Sequence, residues 1–144
     1  MIPLPQLLAE LMLGLGAALF GANLLVTIHN VATAEAFVLG MKAGLDPKHI
    51  FALISAGAGN SRVFELRAPM MVQNDYAGEN LTMRVSTWQK DMKVIGDYAA
   101  SVGCPTPLFS ATEPIYRAAL STGHADEDTA SVCAVLEKMA GIER

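Results

Sequence analysis

The sequence predicts an all-α protein, a helical bundle of about six helices built around one long N-terminal helix. Three observations predict this fold class. A run from Leu11 to Ala34 carries no charged side chain and no proline. Glycines and prolines then divide the rest of the chain into segments of helical length. None of these segments shows the strict alternation of apolar and polar residues that marks a strand.

Length and charge exclude several classes of protein. A chain of 144 residues is predicted to form one domain, residues 1–144, with its own core. Its net charge is -4 and its 10 basic residues are scattered, which argues against a nucleic-acid partner. Cys104 and Cys133 have no metal or redox spacing, so we expect two buried thiols in a reducing compartment, the cytoplasm. The histidines also lack metal-ligand spacing, and no metal site is predicted.

The first helix is predicted to run from residue 6 to residue 43. Pro3 and Pro5 prevent an earlier start, no breaker follows, and Gly44 supplies the residue that ends a helix. At 1.5 Å per residue such a helix is roughly 55 Å long. A small domain does not need that length, so we expect the helix to link two bodies or to cross a dimer interface.

The second and third helices have clear start signals. Asp46 is a predicted N-cap, with Pro47 in the first turn of the helix KHIFALISA. After a flexible glycine-containing segment, Asn60 or Ser61 is predicted to cap the helix RVFELRAPMMV. Pro69 is expected to kink or shorten this third helix.

The remaining three helices follow a turn-rich loop. The fourth is predicted to start at Ser86 or Thr87 and to end before the break at 104–107. The fifth starts at the end of that break, and Pro114 is expected to bend it or to delay its start until Thr112. The sixth, TASVCAVLEKMA, is capped by one of the aspartates in the segment DED that precedes it, Asp126 or Asp128.

The uncharged run is also long enough to span a membrane. Five polar residues inside it make a span costly, namely Asn23, Thr27, His29, Asn30 and Thr33. No aromatic belt or basic cluster flanks the run, and Glu10 stands where a signal peptide would carry basic residues. We therefore favour a buried bundle helix, with His29 as a core histidine, and keep a membrane span as the less favoured alternative.

One face of the first helix carries a polar stripe. At 100° per residue its members fall within an arc of about 80°; they are Leu19, Asn23, Thr27, Asn30 and Ala34. Small residues, Gly14, Ala18 and Gly21, lie on roughly the opposite side. The stripe is open to two interpretations, a set of satisfied core polar groups or a substrate-binding face.

Four segments stand out in the chain, ATAEAFVLGMKAGLDP (Ala32–Pro47), GNSRVFELR (Gly59–Arg67), WQKDMKVIGDYA (Trp88–Ala99) and GHADEDTASV (Gly123–Val132). They resemble the β-hydroxyacid dehydrogenases, which include the 3-hydroxyisobutyrate, tartronate-semialdehyde and L-threonate dehydrogenases. The segments occur in the family's order over most of the chain. The second of them is similar to the L-threonate dehydrogenase branch.

The resemblance implies a helical C-terminal domain that closes a substrate cleft and commonly forms dimers. In this family a long interdomain helix joins it to an N-terminal Rossmann domain with a glycine-rich phosphate loop, and NAD(P) oxidises a β-hydroxy group. A lysine on the interdomain helix is the general acid/base, and an asparagine one turn later positions the substrate. A second lysine, in a Lys-Asp pair, lies near the nicotinamide.

Carried over residue by residue, the resemblance is partial. It implies substrate-binding roles for Asn23 and for the loop residues Gly59, Asn60 and Ser61, and cofactor-binding roles for Lys90 and Asp91. The general acid/base position falls on Leu19 or, with the alignment shifted by one, on Phe20. Neither side chain transfers a proton, so no catalytic residue is predicted.

These 144 residues contain neither the motif GxGxxG nor a parallel-sheet pattern, so the Rossmann domain is expected to be absent. We therefore expect a chain that is not a competent dehydrogenase alone and that does not bind NAD or NADP by itself. Its expected partners are a second copy, in a homodimer, and a separate Rossmann-domain chain. The alternative is a non-enzymatic helical interaction or dimerisation module whose first helix docks a partner or a membrane.

Overall fold

The computed structural model describes residues 2–144 and shows an all-α bundle, which confirms the predicted fold class. Within these residues there are six α-helices, one short 3₁₀ turn and no strand. The helices are α1 (Leu4–Lys42), α2 (Pro47–Ser55), α3 (Arg62–Gln73), α4 (Val85–Ser101), α5 (Pro107–Ser121) and α6 (Val132–Met139), and the 3₁₀ turn is Thr129–Ser131. Helix α1 is the centre of the bundle, since each of the other helices packs against it.

Helix α1 has 39 residues, which corresponds to about 58 Å. Its predicted bounds are confirmed to within two residues, and Gly44 follows it with φ of +90°, a conformation that favours glycine. The first buried residue along the helix is Thr27. The C-terminal half of α1 therefore lies in the core, whereas most of its N-terminal half is exposed to solvent.

The predicted caps of α2 and α3 are confirmed. The Asp46 carboxylate accepts a hydrogen bond from the Lys48 backbone N–H at 2.7 Å, and the Ser61 hydroxyl accepts one from the Phe64 N–H at 3.0 Å. The expected shortening of α3 is wrong, because the helix continues past Pro69 to Gln73. Pro69 leaves only the carbonyl four residues earlier without a partner, and that carbonyl belongs to Glu65, an exposed residue.

Helix α4 begins one residue earlier than predicted, and α5 begins at Pro107, the earlier of its two predicted starts. Helix α4 starts at Val85 because a loop accepts hydrogen bonds from its first N–H groups: Val85 donates to the Glu127 carbonyl at 3.0 Å and Ser86 to the Ala125 carbonyl at 2.9 Å. Helix α5 starts at Pro107 and contains Pro114, so a start delayed to Thr112 is wrong. The carbonyl that Pro114 leaves without a donor belongs to an exposed turn, where water can bond it.

The core lies between the C-terminal half of α1 and the other helices. Its largest fully buried apolar side chains are Tyr116, Phe37, Phe64, Met71, Val85, Val132 and Cys133. Burial and, to a smaller extent, the nearby Glu137 carboxylate raise the pKa of the Cys133 thiol to about 12. The prediction that both thiols are buried is wrong for Cys104, which is exposed in the turn between α4 and α5.

By length and composition α1 is able to cross a membrane, and only 6% of its most apolar window is buried in the bundle. One such helix near an N-terminus is weak evidence, since core helices and signal sequences have the same composition. What covers the exposed half of α1 is a separate question from the fold of the bundle.

Candidate functional site

A cleft between α1 and the start of α3 gathers part of the predicted site. It has a volume of about 330 Å³. The lining residues on α1 are His29, Ala32, Thr33 and Ala36. The others are Ile54 in the last turn of α2, Ala58, Gly59, Asn60 and Ser61 in the loop that follows, and Phe64 on α3. The three predicted loop residues therefore lie together at one cleft, and the half-buried His29 faces them across it.

Local hydrogen bonds hold the loop in place. The Asn60 side-chain amide donates to the Ser55 carbonyl at 3.3 Å, which ties the loop to the end of α2, and to Glu65 Oε1 at 3.1 Å. Hydrogen bonds from Arg62 and then from Asn60 lower the pKa of Glu65. Because the Ser61 side chain caps α3, it also fixes how the loop Gly59, Asn60 and Ser61 enters that helix.

One buried acceptor beside the cleft has no hydrogen-bond partner among residues 2–144. It is the Asn60 Oδ1 atom, which is inaccessible to solvent. Buried polar atoms in folded proteins nearly always have a partner.

Asn23 is not brought to this cleft. It is exposed on α1, and its carbonyl accepts a hydrogen bond from the Thr27 hydroxyl at 2.8 Å. With 100° and 1.5 Å per residue, Asn23 lies roughly 120° around and about 9 Å along the helix from His29. Asn23 and the cleft loop, which were assigned to one substrate site, therefore lie on different sides of α1, and their roles stay predictions.

Lys90 and Asp91 lie on α4, which packs against α1 on the side of Tyr98 rather than at the cleft. Lys90 is exposed and Asp91 is half-buried. The ion pairs of the described residues do not include either side chain. The Lys90 ammonium group is therefore available to a ligand that approaches the bundle from outside.

The two candidate positions for a general acid/base differ in their surroundings. Leu19 leaves 59% of its surface exposed. Phe20 is half-buried, and its ring lies 4.5 Å from the ring of Tyr98, measured between centroids. A lysine at position 19 would extend into solvent, whereas one at position 20 would replace a packed aromatic contact.

A buried polar network joins α1, α3, α5 and the 3₁₀ turn. Asn30 Nδ2 donates to the Tyr116 hydroxyl at 2.9 Å and to the Thr129 carbonyl at 2.8 Å. Arg67 Nε donates to the Thr129 hydroxyl at 3.0 Å and lies 3.4 Å from Asp128 Oδ1. Asn30 is therefore a buried polar group whose Nδ2 atom has two partners, while its Oδ1 atom has none among residues 2–144.

Asp128 is the anion of this network and is completely buried. Burial works against its ionisation, but backbone N–H donors from Ala130, Thr82 and Met83 outweigh burial and lower its pKa. The sequence predicted a helix-capping role for Asp128, and the hydrogen bond from the Ala130 N–H at 2.9 Å confirms it. The ion pair with Arg67 was missed, because their separation in sequence gives no signal of contact.

Residues 20–136 match a family model described as the NAD-binding domain of NADP-dependent 3-hydroxyisobutyrate dehydrogenase. The chain belongs to the β-hydroxyacid dehydrogenase family. The matched residues include nearly the whole bundle, with the cleft, the Lys90–Asp91 pair and Asn23, and they exclude residues 2–19 of the exposed part of α1.

Individual relatives agree with this family. An L-threonate dehydrogenase of Cupriavidus necator is 35% identical over 121 residues, which cover 84% of this chain and 39% of that protein. The chloroplastic glyoxylate/succinic semialdehyde reductase 2 of Arabidopsis thaliana is 32% identical over 86% of this chain and 34% of its own length. This β-hydroxyacid dehydrogenase homologue therefore spans well under half the length of its curated relatives.

Solved structures show the same helical region. The crystal structure of 3-hydroxyisobutyrate dehydrogenase from Salmonella typhimurium superposes with a TM-score of 0.77 at 28% identity, over 83% of this chain and 41% of that one. A structure of the Mycobacterium tuberculosis 3-hydroxyisobutyrate dehydrogenase with L-serine gives a TM-score of 0.72 at 28% identity, over 83% of this chain and 42% of that one. The bundle is thus the helical region of this family of dehydrogenases.

Proposed function

We propose that this chain is the substrate-side and dimerisation domain of an NAD(P)-dependent β-hydroxyacid dehydrogenase, and that it is not catalytically competent alone. One observation carries the proposal: the family match coincides with the bundle, while the general acid/base position holds Leu19 or Phe20. The domain would act in the cytoplasm, and its substrates would be small β-hydroxy acids of the kind that the relatives' names describe.

The lack of a proton acceptor supports inactivity. Oxidation of a hydroxyl carbon by hydride transfer requires removal of the hydroxyl proton, and a positioned base typically contributes 10²–10⁴-fold to the rate. Leu19 and Phe20 have no ionisable group. Binding and orientation of the substrate are therefore the contributions that remain to the bundle, through the Asn60 amide and the side chains around it.

The residues present do not fit a complete NAD(P) site. A dinucleotide pyrophosphate is usually held at a glycine-rich turn between a strand and a helix. These 144 residues lack that motif, and the described part of the chain is entirely helix and loop. We propose that a separate Rossmann-domain chain holds the cofactor and that Lys90 meets it at the surface of the bundle.

Calorimetric titration of the full chain with NAD and with NADP tests the cofactor part of the proposal. We expect no heat of binding up to millimolar cofactor. Micromolar binding of either dinucleotide to the chain alone would contradict the proposal, and so would NAD(P)H formation from L-threonate or 3-hydroxyisobutyrate without a second protein.

A mixing experiment tests the role of Lys90. The full chain is combined with a candidate cofactor-binding chain, and NAD(P)H formation is followed with L-threonate and 3-hydroxyisobutyrate as probes. We expect Lys90→Ala to lower the rate at least 10-fold, in line with the loss of one charged contact. Lys93→Ala is the matched control, since Lys93 is an exposed lysine on the same helix that pairs with Asp97. Equal effects of both variants would contradict a role for Lys90.

Lysine substitutions at Leu19 and Phe20 test whether a general base at either position restores the reaction. Leu19→Lys is expected to raise the rate of the mixed system by about 10²-fold or more, the lower end of what a positioned base contributes. Phe20→Lys is the control, because it removes the contact with Tyr98 and is expected to lower stability without raising the rate. A gain with Phe20→Lys and none with Leu19→Lys would place the acid/base position at residue 20.

The second candidate function is a non-enzymatic helical interaction or dimerisation module. The exposed apolar half of α1 favours it, because a domain that only closes a cleft does not require that surface. This function predicts that neither Lys90→Ala nor Leu19→Lys changes any dehydrogenase activity of a mixture, while changes on the exposed half of α1 alter association.

A further inference from the structure

The last of the four segments that resemble the family, Gly123–Val132, supplies no residue to the cleft, although all of it lies within the described part of the chain. It begins with a turn, residues 124–127, which we call the capping turn. The His124 N–H donates to the Ala119 carbonyl in the last turns of α5, and the Glu127 N–H donates to the His124 carbonyl, both at 3.1 Å. The capping turn is therefore tied to α5 at one end and closed on itself.

The capping turn bonds the start of α4. The first N–H groups of an α-helix have no acceptor inside the helix and need one elsewhere. Arg84 occupies the N-cap position, and an arginine side chain has no acceptor to offer. The Val85 N–H donates instead to the Glu127 carbonyl at 3.0 Å, and the Ser86 N–H donates to the Ala125 carbonyl at 2.9 Å. Two backbone carbonyls of the capping turn thus replace a side-chain cap.

Lys90 lies one helical turn beyond this contact. In an α-helix each N–H bonds the carbonyl four residues earlier. The Lys90 N–H therefore bonds the Ser86 carbonyl, and the Gln89 N–H bonds the Val85 carbonyl. Lys90 itself is exposed. Its side chain thus extends from a turn of α4 whose acceptors belong to the two residues that the capping turn holds.

Asp128 fixes the chain just before α4. Its Oδ2 atom accepts hydrogen bonds from the Thr82 N–H at 2.7 Å and from the Met83 N–H at 3.1 Å. The Thr129 N–H donates to the Met83 carbonyl at 2.8 Å. These bonds do not involve residues 124–127. A change in the capping turn is therefore expected to loosen the first turn of α4 without releasing the segment before it.

Two side chains close the capping turn. His124 Nδ1 and Glu127 Oε2 lie 2.5 Å apart, and the two side chains are 24% and 31% exposed. Salt screens such a partly buried pair less than a fully exposed one. Asp126 lies in the same turn, but it is exposed and belongs to no ion pair among residues 2–144. The contact between His124 and Glu127 therefore supports the shape of the turn, whereas the Asp126 side chain does not.

We propose that His124 and Glu127 are positioning residues for Lys90. Their contact shapes the capping turn, the capping turn holds the first two residues of α4, and the next turn of α4 carries the lysine. The contact of Lys90 with a cofactor rests on the proposed function, whereas its placement by the capping turn does not. The last of the four segments thus acts on Lys90 without touching a ligand.

Hydrogen exchange at single amides of the full chain, measured by NMR, tests the placement of Lys90. Glu127→Ala removes one side chain of the pair. We expect exchange at the Ser86 and Lys90 amides to become about 5-fold faster or more, the size of effect that the loss of an N-cap has. Asp126→Ala is the matched control, because it removes an acidic side chain from the same turn, and it should change those rates less than about 2-fold. The Asp97 amide, two turns farther along α4, should exchange at the same rate in both variants.

Two further variants decide the question if Glu127→Ala does not fold. Glu127→Gln keeps an acceptor for His124 and should exchange like the wild type at Lys90, whereas His124→Ala should repeat the local change. Equal effects of Glu127→Ala and Asp126→Ala would overturn the proposal. Faster exchange at Asp97 and Lys90 alike would also overturn it, because that result indicates a general loss of stability.

The mixing experiment with a cofactor-binding chain separates this proposal from the proposed function. Glu127→Ala should raise the KM for NAD(P) about 3-fold or more at unchanged kcat, because a displaced Lys90 weakens binding, whereas partial unfolding would lower kcat alone. In a Lys90→Ala background Glu127→Ala should have no further effect, and full additivity of the two changes would overturn an action through Lys90. A Lys90→Ala variant with wild-type rates would contradict the proposed function only, and the exchange rates would still decide the placement.

Discussion

The two halves of α1 form one continuous helix and lie in opposite environments. From Thr27 onward the helix buries Thr27, Asn30 and Phe37 against the other helices. Before it, leucines such as Leu11 are mostly exposed. Both halves belong to the same uncharged run, so the absence of charge identifies an apolar helix without identifying what covers it. The family match begins at Phe20, close to where burial begins.

The largest effect expected from this comparison is the loss of a core side chain from the buried half. Phe37 is fully buried, and its ring lies 6.0 Å from that of Phe64. Phe37→Ala should lower the free energy of unfolding by about 3–5 kcal/mol, from lost burial and the cavity left behind. Leu13→Ala in the exposed half should change it by less than about 0.5 kcal/mol. Urea unfolding measures both, and losses of similar size would contradict the division of α1 into two regions.

The next effect concerns buried and exposed ion pairs. Asp128→Asn removes the charge beside Arg67 and replaces an acceptor oxygen with a donor, so unfolding should become easier by roughly 3 kcal/mol. Asp97→Asn is the matched control, since Asp97 pairs with Lys93 on an exposed turn and should contribute less than about 1 kcal/mol. Urea unfolding at neutral pH compares the variants. A tolerated Asp128→Asn would mean that the network does not hold the 3₁₀ turn.

Lowering the pH should destabilise the fold by protonating the same carboxylate, Asp128, without a mutation. The pKa of Asp128 is lower in the folded chain than in the unfolded one, where it is about 3.9. The unfolded state therefore binds more protons as the pH falls, and stability that is complete above about pH 5 is lost through pH 4 and below. Between pH 6 and pH 3 the free energy of unfolding should fall more steeply for the wild type than for Asp128→Asn. Parallel curves would assign the acid sensitivity to other carboxylates.

Local signals in the sequence predicted most of the fold. Asp46 was predicted as a cap, and Ser61 and Asp128 were each one of two predicted candidates, because a cap depends on residues next to it in the chain. The stripe from Asn23 to Asn30 was less informative, since helical periodicity puts both residues on one face but does not say how far along the helix the bundle extends. Asn30 is buried and Asn23 is exposed. That difference depends on helices far away in sequence.

Only the part of the candidate site that is contiguous in sequence was predicted. The loop from Gly59 to Ser61 is contiguous, so its residues reach the cleft together. His29, expected as a core histidine, lines that cleft instead, and only the packing of α3 against α1 puts it there. The prolines are a local signal that predicted the wrong result. Pro114 remains inside α5 because the carbonyl that it leaves without a donor is exposed to water.

The smallest expected effect tests whether the cleft loop is held by its cap. Ser61→Ala removes the acceptor of the Phe64 N–H at the start of α3 and should cost about 1 kcal/mol of stability. Ser101→Ala is the matched control, because the Ser101 hydroxyl bonds a carbonyl at the exposed end of α4 and its loss should cost less than about 0.5 kcal/mol. Ser61→Thr should restore most of the stability, since threonine also caps helices. Faster hydrogen exchange at the Phe64 amide in Ser61→Ala, without a change in α4, would show that the loss is local to the cleft, whereas equal losses for the two alanine variants would mean that the cap does not order the loop.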